Sequence, residues 1–325
     1  MTRPSSLADL ATIFDSQSIS GTRNRIINGD MRIDQRNNGA SFSSGVGQVT
    51  YGLDRFYVFS TGAAVTGQRV NPSLTGFPSA LRITGASGVT YTEVGQRIES
   101  ANINDLIGST VTVSFWAAAS VATSLSVYSN FANSQDNFLN TTGIASSTIT
   151  INSTLTRYSF SFALPSQAAN GIQVGVFFPA GLTSGSSTFT LTGVQLEVGS
   201  VATPFERRQF GQELQLCQRY YQKSYEQSVV PGTSTRTGLI MAFAASGAAN
   251  YGGGFNLKQT MRAAPSISYW DGVGNVSRVS YYATAWNDNN NWLTLLNVSS
   301  DSVVTVASVQ VTASVLIHYA ASAEL

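Results

Sequence analysis

Very few residues of this chain could supply nucleophilic, acid–base or metal chemistry. The 325 residues include one cysteine, Cys217, and one histidine, His318. Clusters of His and Cys metal ligands are therefore excluded, and a catalytic Ser-His-Asp or Cys-His arrangement would have to use His318. Each residue has a simpler interpretation: Cys217 is a buried apolar thiol, and His318 is a hydrogen-bonded residue of a sheet or an interface.

Carboxylates in a pair could hydrolyse glycosidic bonds if they stood about 5–9.5 Å apart. Glu93 and Glu99 share one face of a predicted strand, but their separation in sequence spans about 20 Å when extended. Glu197 and Glu206 flank a segment where exposure, or ion pairing at an interface, is the simpler interpretation. We therefore expect no enzymatic activity.

Two polar segments could hold a phosphate or a metal ion. The glycine-rich segment 251–255 lacks the Lys-Ser/Thr of a phosphate-binding loop, and we interpret it as a turn. The segment 288–291 supplies oxygen atoms but only one acid, which makes at best a weak calcium site. We expect no cofactor.

Sugars are the ligand class for which the sequence has suitable residues, because an aromatic ring covers the C–H face of a sugar while polar neighbours bind its hydroxyls. Trp116 lies on the polar side of its predicted strand, where it either lines a groove or is covered by a neighbouring subunit. Two tryptophans flank a turn that is predicted to project from the second β unit. They either form a sugar site together with the turn or fill the open end of a sandwich. This second candidate site consists of Trp286, Asp288, Asn289, Asn290, Asn291 and Trp292.

The charge of the chain excludes other partners. Lys and Arg number 18 against 17 Asp and Glu, and only 11% of residues are charged. This balance argues against nucleic-acid binding, which needs a basic excess or patch. The sequence has no apolar run of membrane-spanning length, and its first twenty residues lack the pattern of a secretion signal. We expect a soluble protein made in the cytoplasm, without membrane insertion.

Strands must position these candidate residues, because apolar residues alternate through most of the chain. Over 23–205, segments such as Val111, Val113 and Phe115 predict a two-sheet antiparallel sandwich, most simply a jelly roll. A change of apolar parity near Gly193 predicts a β-bulge. A second, smaller β-sandwich is predicted over 229–325.

Two helices interrupt this all-β pattern. A short helix in the segment 1–22 is predicted to be an anchor on a partner, or to pack on its own domain. The segment 206–228 predicts a linker helix whose apolar stripe joins subunits, or packs on its own sandwich. The anchor residues are Leu7, Leu10 and Phe14, and the interface residues are Phe210, Leu214, Cys217 and Tyr221.

A resemblance rests on a series of motifs in this order: "NRIINGDMRIDQRNNG", "YGLDRFYV", "PSALRIT", "GQRIES", "VTVSFWAAA" and "GVQLEVGSVATPFERRQFGQELQLCQRYYQKSY". In these motifs the chain resembles the receptor-binding fibre proteins of tailed bacteriophages, and the last motif is the most specific. The tail, with "MRAAPSISY" and "HYAASAEL", is similar to the distal tip domains of the same proteins.

The resemblance implies a jelly roll like that of carbohydrate-binding modules, a linker helix and a variable tip domain. It also implies a homotrimer, located in the virion, that docks on tail or capsid proteins through its N-terminus and binds host surface polysaccharide. A structural calcium ion in the jelly roll is allowed, with no ligand assigned. The alternative is a capsid fibre, decoration or tail structural protein that makes mainly protein contacts.

The trimer is testable. The low charge fraction and the single apolar stripe of the linker helix favour three copies packed around an axis. Light scattering on the full-length chain should give about three times the 34.5 kDa protomer mass. A monomer at micromolar concentration would contradict this expectation.

Overall fold

The described residues form antiparallel β-sheets and one α-helix, which confirms the predicted all-β class. A computed structural model describes residues 23–120, 123–244, 251–282, 284–290, 293–307 and 314–325. The predicted N-terminal helix and its residues Leu7, Leu10 and Phe14 lie outside these ranges. Within them, no helix has the length and apolarity needed to cross a membrane.

The described residues form two compact units. The first comprises the residues up to Arg32, then Gly39–Glu213 and Leu325, and the second comprises Ile33–Asn38 and Leu214–Glu324. Six residues of the N-terminal part of the chain, 33–38, therefore belong to the second unit.

The first unit is a sandwich of two six-stranded sheets. The first sheet has the order β1-β4-β5-β12-β7-β10, and the second has the order β2-β3-β6-β11-β8-β9. Three short 3-10 turns lie at Ser100–Asn102, Asn104–Leu106 and Ser166–Asn170. The strands are β1 (Phe42–Ser43), β2 (Thr50–Leu53), β3 (Phe56–Thr61), β4 (Thr66–Val70), β5 (Ala80–Thr84), β6 (Tyr91–Ile98), β7 (Thr110–Ala119), β8 (Thr123–Ser134), β9 (Asn137–Ile151), β10 (Thr156–Ala163), β11 (Ile172–Phe178) and β12 (Thr188–Val198).

The core of this sandwich is built from the inward residues of both sheets. Val111, Val113 and Phe115 of β7 are at most 2% exposed, and they belong to the same apolar cluster as Val174 and Val176 of β11. The predicted bulge is confirmed: the pairing of β12 with β7 shifts between Thr192 and Gln195, and Gly193 between them has a positive φ of 61°.

The outer face of the first sheet is covered by the segment 199–206, which two side chains of β12 hold in place. Gln195 accepts a hydrogen bond from the Glu206 backbone N–H at 2.7 Å. Glu197 accepts from the Thr203 backbone N–H at 2.9 Å and from the Thr203 hydroxyl at 2.5 Å, and it pairs with Arg23 at 3.4 Å. Glu197 is fully buried. The expectation of exposure, or of an ion pair at an interface, is therefore wrong, because its partners lie within one unit.

The second unit is smaller and is organised around its last strand. The central β21 pairs with β13, β14, β16 and β17, while β18 pairs with β17, and a separate sheet has the order β15-β20-β19. The segment 251–255 lies in β15, so it is a strand rather than the predicted turn. The strands are β13 (Tyr221–Lys223), β14 (Ile240–Ala244), β15 (Tyr251–Asn256), β16 (Ser266–Trp270), β17 (Val279–Tyr282), β18 (Trp286–Asn290), β19 (Leu293–Val298), β20 (Ser302–Ala307) and β21 (Ser314–Ser322).

The linker helix is shorter than the predicted segment 206–228. The helix α1 spans Phe210–Gln218, and Tyr221–Lys223 then forms β13. The chain leaves the helical conformation here because Tyr221 and its neighbours pair with β21 instead, in the register Tyr221 to Ser322. Tyr221 therefore belongs to a strand, and it does not continue the stripe of α1.

Glu197 gives a test of the covering segment 199–206. Replacing Glu197 by Ala removes the buried acceptor for Thr203 and the charge partner of Arg23. We expect the free energy of unfolding to fall by about 3 kcal/mol, because donors and a cation lose their partner in a buried site. Urea unfolding measures this loss. The control Glu226→Ala, at an exposed position, should change stability by less than about 0.5 kcal/mol. Equal stability of both variants would contradict the role of Glu197.

Candidate functional site

A pair of glycines forms the centre of the outer face of the second sheet. Gly95 of β6 and Gly175 of β11 are directly opposite each other in the register. On either side the same row continues to Tyr57 of β3 and Tyr128 of β8. Glycine inside a strand often marks close approach by another group, and here that group is a tyrosine from each side.

The two tyrosine side chains occupy the space that side chains at the glycines would fill. A Cβ atom at Gly95 would stand 2.6 Å from the Tyr57 hydroxyl, and one at Gly175 would stand 3.0 Å from the Tyr128 hydroxyl. The two hydroxyl oxygens are 2.7 Å apart. Both tyrosines are at most 5% exposed, so they form a fixed floor for whatever lies above them.

Glu93 of β6 accepts hydrogen bonds from the polar groups of this floor. Its Oε1 atom accepts from the hydroxyl of Tyr57 at 2.6 Å and from the amide nitrogen of Gln173 at 3.1 Å, and it also accepts from the hydroxyl of Tyr128. Its Oε2 atom accepts from the hydroxyl of Tyr91 at 2.7 Å. The carboxylate is thus oriented from three sides by neutral donors.

The tyrosine hydroxyls keep their protons in this environment. Burial raises the pKa of Tyr57 well above its ordinary value, and the neighbouring Tyr128 and Glu93 raise it further. Burial and then Glu93 raise the pKa values of Tyr91 and Tyr128 as well. An ionised phenol beside a carboxylate would add a second negative charge, so these three groups stay hydrogen-bond donors.

An open groove lies over this floor, and its volume of about 430 Å³ is within the usual range for small-ligand sites. Tyr91 and Phe177 stack in it with ring centroids 5.5 Å apart, and Phe177 also contacts Tyr128 at 5.6 Å. We call this site the Glu93 groove. Its lining residues are Tyr91, Glu93, Tyr128, Asn130, Gly143, Ile144, Ala145, Ser146, Gln173 and Phe177.

The Glu93 groove combines aromatic ring faces with a carboxylate and two amide side chains, which is the combination that binds sugars. Among its lining residues Glu93 carries the one carboxylate. In the described ranges, no group of three or more His, Cys, Asp or Glu residues could hold a metal ion.

The predicted sugar-binding turn of the second unit has a different structure. Trp286–Asn290 is the strand β18, which begins at the tryptophan where a turn was expected. Asp288 does not project freely, because it accepts from Arg236 at 2.7 Å and also from the Ser280 hydroxyl. Asn289 has a φ of 63° and donates its backbone N–H to Asp271, while the Asn290 amide donates to the Asp288 carbonyl oxygen. Asn291 and Trp292 lie outside the described residues.

Trp286 is nevertheless accessible. It is 40% exposed, it contacts the 53% exposed Tyr282 edge-on at 5.3 Å, and the Arg236 guanidinium lies 4.5 Å from its ring centroid. Trp116 lies in the first sheet of the other unit, half-buried against Phe77 at 6.3 Å. The Glu93 groove lies on the second sheet, so the structure does not bring Trp116 into it.

The four predicted interface residues differ in their exposure. Phe210 is 51% exposed, while Leu214 is half-buried and Cys217 and Tyr221 are buried. The Arg36 guanidinium lies over the Tyr221 ring, 3.8 Å from its centroid. The main-chain carbonyl oxygen of Tyr221 accepts a hydrogen bond from the Gln35 side-chain amide at 2.7 Å. Buried Cys217 agrees with the predicted apolar thiol.

His318 is a hydrogen-bonded sheet residue, as predicted. It is fully buried, and its Nδ1 and Nε2 atoms lie 3.1 Å from the Ser224 hydroxyl and 3.0 Å from the Thr235 carbonyl oxygen. Its ring stacks on Tyr225 at 3.7 Å. Burial lowers the pKa of His318.

The groove around Glu93 is not predicted from the sequence, in which Glu93 is a candidate only as a partner for Glu99. The available signal was a glycine inside each of two alternating strands, in "YTEVGQRI" and "IQVGVFF". Such glycines indicate close approach, but only the register shows that the two are opposite each other.

Comparison with known proteins gives structural neighbours only. No protein-family model matches the chain, and no curated protein matches it. Among solved structures, a family 4 carbohydrate-binding module is 19% identical, with a TM-score of 0.34, and the match covers 53% of this chain and 98% of that one. The enzymatically active domain of tailspike protein 4 from bacteriophage CBA120 is 16% identical, with a TM-score of 0.32, over 54% of this chain and 21% of that one. A xylan-binding domain from Paenibacillus barcinonensis is 10% identical, with a TM-score of 0.31, over 51% and 99%.

The glycine pair gives a test of the floor. In the Gly95→Ala variant the new methyl group meets the Tyr57 hydroxyl and the Val174 carbonyl oxygen. We expect a loss of about 1–3 kcal/mol in unfolding free energy, as is usual for overpacking. Thermal unfolding measures it. The matched control is Gly211→Ala in α1, where nothing lies within 4 Å of the new Cβ atom, and it should be neutral or stabilising. A Gly95→Ala protein as stable as the control would contradict the packing of Tyr57.

Proposed function

We propose that this protein binds glycans, and that the first unit holds a sugar in the Glu93 groove. The observation that carries the proposal is the aromatic pair Tyr91 and Phe177 beside a carboxylate that neutral donors hold in one orientation. A sugar ring placed on Phe177 covers the aromatic face with its C–H groups. Its hydroxyls can then donate to Glu93 and exchange hydrogen bonds with Asn130 and Ser146.

The groove suits binding better than hydrolysis. Retaining glycosidases place two carboxylates about 5–5.5 Å apart, and inverting ones about 6.5–9.5 Å apart. Among the lining residues of the Glu93 groove, Glu93 is the one carboxylate, and it accepts hydrogen bonds from Tyr57, Tyr91 and Tyr128. A protonated tyrosine can orient a sugar, but it does not replace the missing second acid.

In its biological setting, the protein is a virion fibre of a tailed phage that recognises host surface polysaccharide and docks on other virion proteins through residues 1–22. The resemblance of its sequence motifs to phage fibre proteins supports this role. A capsid fibre, decoration or tail structural protein with mainly protein contacts is the alternative. Immunogold labelling of purified particles tests both, since each requires the chain to be present at the tail or the capsid.

A second candidate for the sugar site is the exposed Trp286 of the second unit. The observation in its favour is the surface that this ring forms with Tyr282 and Arg236. Its polar neighbour Asp288 is paired with the cation Arg236, whereas the donors to Glu93 are neutral.

Aromatic truncations separate the two sites. We expect the labelled full-length chain to bind members of a glycan array of bacterial surface polysaccharides. The Phe177→Ala variant should bind them at least about tenfold more weakly, because the sugar loses the ring face on which it stacks. Trp286→Ala should bind normally, as should the control Leu139→Ala, which truncates an 88% exposed side chain of β9.

Two results would contradict this assignment. Loss of binding in Trp286→Ala, with binding kept in Phe177→Ala, would move the site to the second unit. No glycan binding by the unmodified chain would contradict the proposed function itself.

A further inference from the structure

We infer that the Glu93 groove selects glycans by charge: it accepts sugars that are neutral or carry an amine above Glu93, and it rejects sugars that carry a carboxylate, sulfate or phosphate there. This inference rests on the proposed function and names the ligand class of the same site. It follows from the charge of the groove floor and from the donors that surround it.

Every hydrogen-bond donor to Glu93 found among the described residues is neutral. Its partners are the hydroxyls of Tyr57, Tyr91 and Tyr128 and the amide of Gln173. A carboxylate held by neutral dipoles keeps its full negative charge, whereas an Arg or Lys partner would cancel most of it. The floor of the groove is therefore an oriented anion.

Arg97 is the cationic residue that shares a face of β6 with Glu93. Its guanidinium contacts other groups instead of Glu93. Its guanidinium lies 5.2 Å from the ring centroid of Tyr57 and 5.4 Å from that of Phe138. It donates to the Gln173 side-chain oxygen at 3.3 Å and to the main-chain oxygen of Leu325. Arg97 is not among the lining residues of the groove, so a ligand on Phe177 contacts Glu93 first.

Glu93 retains the capacity to bind one more donor. Each carboxylate oxygen offers about two lone-pair sites. The donors Tyr57, Tyr128 and Gln173 all share Oε1, whereas Oε2 accepts from Tyr91 alone among the described residues and so has one site left. A sugar hydroxyl or ammonium group can donate to Oε2. An anionic substituent has no proton to donate and adds repulsion between like charges a few ångströms apart.

The test uses matched pairs of oligosaccharides on one array, each pair differing only in an acidic group: galactan against galacturonan, and neutral against sulfated or sialylated chains. Chitosan oligomers supply the amine-bearing class. We expect the unmodified chain to bind the neutral member of a pair at least about tenfold more tightly than the acidic member, and chitosan at least as tightly as its N-acetylated counterpart.

Two further measurements isolate the charge of Glu93. In the Glu93→Gln variant the preference for neutral glycans should fall to less than about threefold, while the control Glu226→Gln, with the same change in net charge at an exposed site, keeps it. Raising the salt concentration from about 0.02 to 1 M should narrow the preference of the unmodified chain, because salt screens the repulsion. This second measurement does not depend on the folding of a variant.

The outcomes separate this inference from the proposed function. Equal or tighter binding of the acidic members by the unmodified chain, or a preference unchanged by both Glu93→Gln and salt, would overturn the charge selection and leave glycan binding intact. Absence of any glycan binding would overturn both.

Discussion

The candidate site depends on the absence of side chains at two positions. Gly95 and Gly175 are opposite each other in adjacent strands. Because neither has a side chain, the side chains of Tyr57 and Tyr128 can lie over them, with their hydroxyl oxygens 2.7 Å apart. A Cβ atom at either glycine would stand within about 3 Å of a tyrosine hydroxyl, a distance at which atoms must move apart. Because these hydroxyls orient Glu93, the glycine pair fixes the position of the charge in the groove.

The rest of the first unit gives this sheet a rigid support. The inner faces of both sheets share one apolar core, so the residues on the outer face of the second sheet have fixed positions. On the first sheet, buried Gln195 and Glu197 hold the segment 199–206 in place. These two residues belong to the motif "VQLEVGSVATPFE", the most specific part of the resemblance. The polar residues of this motif therefore have a structural role.

The predictions from sequence succeed where local pattern decides and fail where a partner strand decides. Alternating apolar residues, the bulge at Gly193, the buried Cys217 and the hydrogen-bonded His318 follow from local chemistry. The turn expected at 288–290 is a strand, and the helix expected to reach 228 ends at Gln218, because pairing with β17 and β21 competes with local preference. Glu197 is buried because the segment 199–206 folds back over it, and an alternation of apolar and polar residues does not show such a fold-back.

By itself, the sequence determined the all-β class and the scarcity of catalytic groups, since strand periodicity and residue counts need no knowledge of neighbours in space. It also determined which residue types could bind a sugar. The tertiary structure alone decided which of them meet: Tyr57, Glu93, Tyr128 and Gln173 come from four strands separated by up to 116 positions in the chain. Register between strands is a property of the whole sandwich, because it is set by the packing of both sheets on a common core.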